Sequence, residues 1–287
     1  MQRAPGLRCL LMVAGLIMAA ATAPALAESA ARKLNAPLAL GGRIEPAERR
    51  DPASGRPLFP GYQLAPDNSA VVFLADRSTA DVVELYSLPL SGGEPQRLNG
   101  DLAPGGNVIE FAIAGDRVVY RADQRVNESF ELFSVPLAGG EPVVLNPLLT
   151  PAGDVTNFLL SPDGSSVVFR ADRDNDEQFD LFSAPIGGGP AVRLNERASA
   201  VGDVQPDFAI SPNSQRVVFR YDPVEAGSFG LFSAPLTGGS PPSSLTFGDV
   251  GLAGGPSVLD FVISPGGASV VSRILDPVAG NTNLFLS

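Results

Sequence analysis

The sequence predicts an all-β protein built as a five-bladed β-propeller of four-stranded antiparallel blades. Three observations predict it. One segment recurs five times, its copies starting near residues 62, 111, 158, 208 and 261. The Leu-aromatic pairs within the copies begin at Leu85, Leu132, Leu181, Leu231 and Leu284, spaced by 47, 49, 50 and 53 residues, the period of a four-stranded blade. Beyond the N-terminal apolar run, no window of comparable length carries the 3.6-residue apolar period of an amphipathic helix.

Each copy divides into strands on local grounds. Strand a is an alternating apolar segment, as in Phe208-Ala209-Ile210, and ends at a turn such as Ser211-Pro212-Asn213. Strand b is a β-branched run such as Val217-Val218-Phe219, suited to a pleated buried surface. Strand c carries the Leu-aromatic pair and stops near a proline. A Gly-Gly pair then supplies the positive φ that a tight turn into strand d needs. This punctuation reads as Pro89 with Gly92-Gly93, Pro136 with Gly139-Gly140, Pro185 with Gly187-Gly188, and Pro235 with Gly238-Gly239. Because strands alternate in direction, the short a-b and c-d turns fall on one face. The longer b-c and d-a loops fall on the other, where binding on a rigid scaffold usually resides.

The ends of the chain bear on blade count. The last copy finishes at Ser287 without a fourth strand, whereas Arg32-Lys33-Leu34-Asn35 matches Gln96-Arg97-Leu98-Asn99 and Arg193-Leu194-Asn195. The expectation is that an N-terminal strand over residues 31–36 completes the last blade and closes the ring, removing an open sheet edge. The alternative is a longer propeller truncated at Ser287. Ahead of that strand, Arg3 and Arg8, the apolar run Leu10 to Ala21 and the triplet Ala25-Leu26-Ala27 have the layout of a secretory signal peptide over residues 1–27. The run is too short to span a bilayer. Residues 28–287 are then one exported propeller domain, and the Pro-rich, charged stretch Arg43 to Gly61 is a long loop entering the first blade.

Composition narrows the chemistry. Residues 28–287 contain no Cys, His, Trp or Met, and Lys33 is their one lysine. This removes a Ser-His-Asp triad, a Cys nucleophile, a His/Cys zinc site and disulfides. Loss of Arg3 and Arg8 from the 20 basic residues leaves 18 against 31 acidic, a net charge of −13. Such a surface repels nucleic acid and anionic membranes.

The run Phe158-Leu159-Leu160-Ser161-Pro162-Asp163-Gly164, followed by Val167-Val168-Phe169-Arg170-Ala171-Asp172, Leu181-Phe182-Ser183, Gly187-Gly188 and Arg193-Leu194-Asn195, resembles the TolB-type propeller repeat. The resemblance covers nearly all of residues 30–287. It implies a periplasmic, protein-binding propeller. The best-known member of that family has an additional N-terminal domain and six blades, against the five repeats here. The same repeat occurs in propellers attached to peptidase domains.

Two sets of carboxylates are candidate site residues. Asp172, Asp174, Asp176 and Glu177 sit in one b-c loop, and together with Asp180 they offer oxygens to a Ca²⁺ ion. The run departs from an EF-hand at Glu177 and Ser183, where the glycine and the bidentate glutamate belong, so no metal or cofactor is assigned. Glu110, Asn157, Asp207 and Asp260 end the d-a loops just before strand a, around the mouth of the central channel. Paired carboxylates there would suit glycoside hydrolysis. Against that, the positions are repeat-equivalent, and the four tyrosines Tyr62, Tyr86, Tyr120 and Tyr221 are few platforms for sugar stacking. The recurring Arg121-Ala122-Asp123 and Arg170-Ala171-Asp172, with Arg220-Tyr221-Asp222, reads as a structural element in which Arg and Asp bridge neighbouring blades. The sequence thus points to a periplasmic or secreted, non-catalytic module that binds another envelope or secreted protein through its acidic loop face. A carboxylate-based hydrolase is the alternative.

Overall fold

The two-sided burial that the Val-Val pairs imply is what organises the fold, seen in a computed structural model that describes residues 61–196, 202–222, 227–246 and 255–287. The first sheet comprises β1 (Tyr62–Leu64), β2 (Ala70–Ala75), β3 (Glu84–Pro89) and β4 (Gln96–Arg97). The second comprises β5 (Val108–Ala114), β6 (Arg117–Val126), β7 (Ser129–Pro136) and β8 (Val143–Val144). The third comprises β9 (Val155–Leu160), β10 (Ser166–Ala171), β11 (Asp180–Pro185) and β12 (Val192–Arg193). The fourth comprises β13 (Asp203–Ile210), β14 (Arg216–Asp222), β15 (Gly230–Pro235) and β16 (Ser243–Ser244). The fifth comprises β17 (Ser257–Ile263), β18 (Val270–Asp276) and β19 (Asn281–Leu286). Every sheet is an antiparallel meander in chain order, and the described residues contain no helix.

Successive side chains on a strand point to opposite faces, so each Val-Val pair serves two interfaces. Val118 packs with the first sheet, around Val72, Leu74 and Leu85. Val119 packs with the third, around Phe158, Phe169 and Phe182. The same division joins the third sheet to the fourth and the fourth to the fifth. Within four sheets a ring on strand b stacks on a ring of strand c: Phe73 on Tyr86, Tyr120 on Phe133, Phe169 on Phe182 and Phe219 on Phe232, with centroids 5.2–6.1 Å apart. In the fifth sheet the strand-b ring is replaced by the buried Ser272, opposite Phe285.

Several expectations are revised. The c-d turn of the third sheet uses Gly188 and Gly189, at φ 98° and 136°, rather than Gly187 and Gly188. The turn is set by its distance from the preceding proline, as at Pro89 with Gly92 and Pro136 with Gly139, and not by the first glycine of the run. Strand d is only two residues long in each of the first four sheets. Glu110, Asn157, Asp207 and Asp260 lie inside strand a, beside a register shift. The fifth sheet has three strands among the described residues. The strand expected over 31–36, the segment 1–27 and the stretch from Arg43 to Pro60 lie outside them.

Candidate functional site

The two faces differ as strand direction requires. On one, each a-b turn bonds to the residue after strand c: Leu90 N–H donates to Ser69 O, Leu137 to Asp116 O, Ile186 to Ser165 O and Leu236 to Gln215 O. On the other, b-c and d-a loops bond to each other, with Ala103 N–H donating to Gln124 O and Thr150 N–H to Arg173 O. That second face carries the candidate residues.

The strand-a positions are taken up by the arginines of strand b. Arg121 Nε lies 3.1 Å from Glu110 Oε2, both side chains buried. Arg220 binds Asp207 through two bonds of 2.8 and 2.7 Å, and Arg273 pairs in the same way with Asp260, which is half exposed. In the third sheet the equivalent residue is the neutral Asn157, which donates to Pro206 O. Arg170 there donates to Thr156 Oγ1 instead, and its guanidinium lies 3.5 Å from the centre of the Phe179 ring. Each of these three junctions is then bridged by the arginine. Arg121 donates to Val155 O, Arg170 to Val204 O and Arg220 to Val258 O, in each case on strand a of the next sheet. Glu110, Asn157 and Asp207 therefore lie at joints between blades, whereas Asp260 pairs within the fifth sheet. Glu110 and Asn157 are buried.

The Asp of the Arg-x-Asp triplet does not cross between blades. It closes its own b-c loop: Asp123 accepts from Asn107 N–H and Glu128 N–H, Asp172 from Asp154 N–H and Glu177 N–H, and Asp222 from Gly227 N–H. The residue five places after that Asp is left-handed, at φ 62° for Glu128, 60° for Glu177 and 68° for Gly227. The polar side chain that does cross lies at the start of strand a. Asn107 accepts from Val83 N–H, Asp154 from Phe130 N–H, Asp203 from Phe179 N–H, and Ser257 Oγ from Phe229 N–H. Sequence reasoning missed these four. Their signal is the recurring Gly106-Asn107-Val108, Gly153-Asp154-Val155 and Gly202-Asp203-Val204.

The acidic b-c run is divided in the same way. Asp172 is buried as a loop organiser, Asp174 pairs with Arg193 and Arg173, and the buried Asp180 pairs with Arg193 and accepts from Asn195. Asp176 and Glu177 of the run have exposed side chains, with Glu177 joined to the loop through its N–H. Among the described residues no group of three or more acidic, His or Cys side chains converges to hold a metal ion.

Burial shapes the ionisation of the loop organisers. It raises Asp172 and Asp203 above the usual carboxylate range. Asp154 is pushed up to about 6, chiefly by burial and then by the neighbouring Asp172 and Asp176, against the Phe130 N–H it accepts. A carboxyl with a raised folded pKa stabilises the fold while protonated, so its contribution is complete below pH 4 and is lost as pH rises through 6. Asp154→Asn keeps the acceptor, as Asn107 does in the preceding sheet. The expected result is a variant that removes about 1 kcal/mol of the stability lost between pH 4 and 7, a figure reduced for the part exposure of the group. Urea melts of both proteins across that range read it, and parallel curves would show Asp154 to be ordinary.

No family model matches this sequence. No curated protein matches it either. Solved structures do match. One is Porphyromonas gingivalis dipeptidyl peptidase 4, 12% identical, with a TM-score of 0.56 over 78% of this chain and 36% of that one. TolB from Acinetobacter baumannii is 16% identical over 84% of this chain and 61% of that chain, with a TM-score of 0.41. A protein assigned as TolB from Agrobacterium tumefaciens is 18% identical over 80% and 84%, also at 0.41. The likeness to the peptidase is one of fold alone. The chain spans little more than a third of the peptidase.

Proposed function

We propose that this chain is an exported, non-catalytic TolB-like propeller that binds another envelope or secreted protein through its b-c and d-a loop face. The observation that carries this reading is the uneven build of that face. The second sheet sends out a long hairpin, β6 of ten residues and β7 of eight, with Val126 62% exposed near its tip. Leu148, 83% exposed, follows in the next d-a loop, and Asp176 and Glu177 project from the next b-c loop. Exposed apolar and acidic side chains carried on the loops of one face suit recognition of a protein surface. No helix among the described residues is long and apolar enough to cross a membrane.

The hydrolase reading has less support. It needs two carboxyls flanking a sugar-sized opening, whereas Glu110 is buried and Glu110, Asp207 and Asp260 each face an arginine. The test is capture from native cell envelopes by residues 28–287 and by a loop variant, Val126→Ser, Leu148→Ser, Asp176→Asn and Glu177→Asn. Asn suits the left-handed backbone at 177. Asp172 is left intact because it holds the loop. A partner retained by the parent and lost by the variant is the expected result. Equal capture by both, or glycosidase activity abolished by Asp207→Asn, would overturn the proposal.

A further inference from the structure

On the face of the a-b and c-d turns, a single aliphatic side chain fills the space between one sheet and the sheet before it. It belongs to the residue after the strand-c proline, the same residue whose N–H donates to the a-b turn of its own sheet: Leu137 to Asp116 O, Ile186 to Ser165 O and Leu236 to Gln215 O. Leu236, 5% exposed, joins the core cluster of Val168, Leu194, Ile210 and Val217, between the third and fourth sheets. Ile186 joins the equivalent Val119, Leu145, Leu160 and Val167. Leu137 joins Val72, Leu98, Ile113 and Val118. Each junction is thus closed by one branched side chain and one backbone bond from the same residue.

The junction between the fourth and fifth sheets repeats the surroundings of that side chain. Ile263 pairs with Val270 as Ile210 pairs with Val217, and Leu245 donates to Leu231 O as Leu194 does to Leu181 O. Here, however, Val218, Leu245, Ile263 and Val270 line a cavity of about 180 Å³. Apolar cavities of about 150 Å³ take up groups the size of benzene. The backbone half of the arrangement is open as well. Ala268, which also lines the cavity, stands two residues before Val270, where Asp116, Ser165 and Gln215 stand in their own turns. Among the described residues nothing donates to its carbonyl.

We propose that this cavity is a second binding site, and that its ligand is an extended peptide segment of another protein. The segment inserts one leucine or isoleucine side chain among Val218, Leu245, Ile263 and Val270, and the N–H of that residue donates to Ala268 O. The three filled junctions define this chemistry, since each takes a branched aliphatic side chain on a residue whose N–H is used by the turn. They define the flank too. A Cβ added at Gly188 would lie 3.4 Å from Val143, and one at Gly238 would lie 3.2 Å from Val192. Both glycines come two places after the inserted residue and against the preceding strand d. A ligand with glycine at that place would pass over Ser243 and Ser244 of β16. The site lies on the face opposite the b-c and d-a loops, so it neither needs nor obstructs the loop-face partner proposed above.

Titration of residues 28–287 with the peptide acetyl-Leu-Thr-Gly-Gly-amide, which copies Leu236 to Gly239, tests this through the backbone amide resonances. The expected result is saturable shifts at Gly267, Ala268, Ser269 and Val270, with Val126 on the other face unmoved. Replacing the peptide's leucine by alanine is expected to weaken binding about tenfold or more. Methylating the leucine nitrogen, which removes the donor to Ala268 O, is expected to weaken it about fivefold. Both comparisons leave the protein unaltered, so no folding defect can imitate them. Ile263→Phe fills the cavity from its own wall and should abolish the shifts, with the Leu181 amide reporting that the variant is folded. Equal binding of the leucine and alanine peptides, or no saturable shift at the fifth a-b turn, would overturn the proposal. Shifts there that grow with protein concentration alone would overturn it too, because a second copy of the chain would then fill the cavity.

Discussion

Replacing Gly153 by alanine is expected to cost about 3 kcal/mol or to prevent folding, because a Cβ there would lie 2.6 Å from the carbonyl oxygen of Asp172 and 3.1 Å from that of Thr150. These are backbone atoms of a loop already fixed by hydrogen bonds. Asp172 N–H donates to Asp154 O, and Gly153 O accepts from Ser129 in the preceding sheet. Neither side can give way without breaking the b-c loop or the joint between blades. Gly106 meets the same obstacle 2.5 Å away at Asp123 O, and Gly202 at Asp222 O, 2.8 Å away. Gly187→Ala is the matched control. Nothing lies within 4 Å of its added Cβ, so its urea midpoint should stay within experimental error of the parent. A Gly153→Ala protein as stable as the Gly187→Ala protein would show that the loop yields and that the close approach is not required.

Arg121→Met is expected to destabilise by about 3 kcal/mol, since it removes the ion pair made by the buried Glu110 carboxylate and the bond that Arg121 donates to Val155 O. Adding Glu110→Gln should recover a large part of that loss, because the buried charge goes with it. Arg273→Met sets the scale. Arg273 and Asp260 have side chains 50% and 53% exposed, and an exposed pair contributes up to about 1 kcal/mol. The three proteins and their acid partners form two double-mutant cycles read by chemical denaturation. Equal losses for Arg121→Met and Arg273→Met would mean that burial does not set the strength of these ion pairs.

How much of this was legible in the sequence depends on which atoms do the work. The strands, turns and stacked rings announce themselves through side chains that recur at a fixed period, so β2, β10 and β14 fall where Val-Val-Phe runs stand. The third c-d turn was displaced by one residue because Gly187, Gly188 and Gly189 offer two equivalent Gly-Gly pairs. The candidate acids stand at equivalent places in the repeat, but nothing in the sequence shows what surrounds them. Arg121, Arg170 and Arg220 were seen as bridges, whereas their targets are main-chain carbonyls, which carry no mark in a sequence. The crossing residues Asn107, Asp154, Asp203 and Ser257 escaped notice because three residue types fill one role. A pattern that admits any short acceptor after Gly or Pro would have found them.

That these arginines grip the peptide backbone bears on how such a chain changes over time. A guanidinium that recognises a side chain ties two positions together, so that either can drift only if the other follows. One that recognises a carbonyl imposes nothing on the identity of the residue it touches: Val155, Val204 and Val258 are held through atoms every amino acid has. A duplicated unit would therefore fit beside its neighbour on the first generation, before any co-adaptation. Its exposed loops would then be free to diverge toward new partners while the joints went on working.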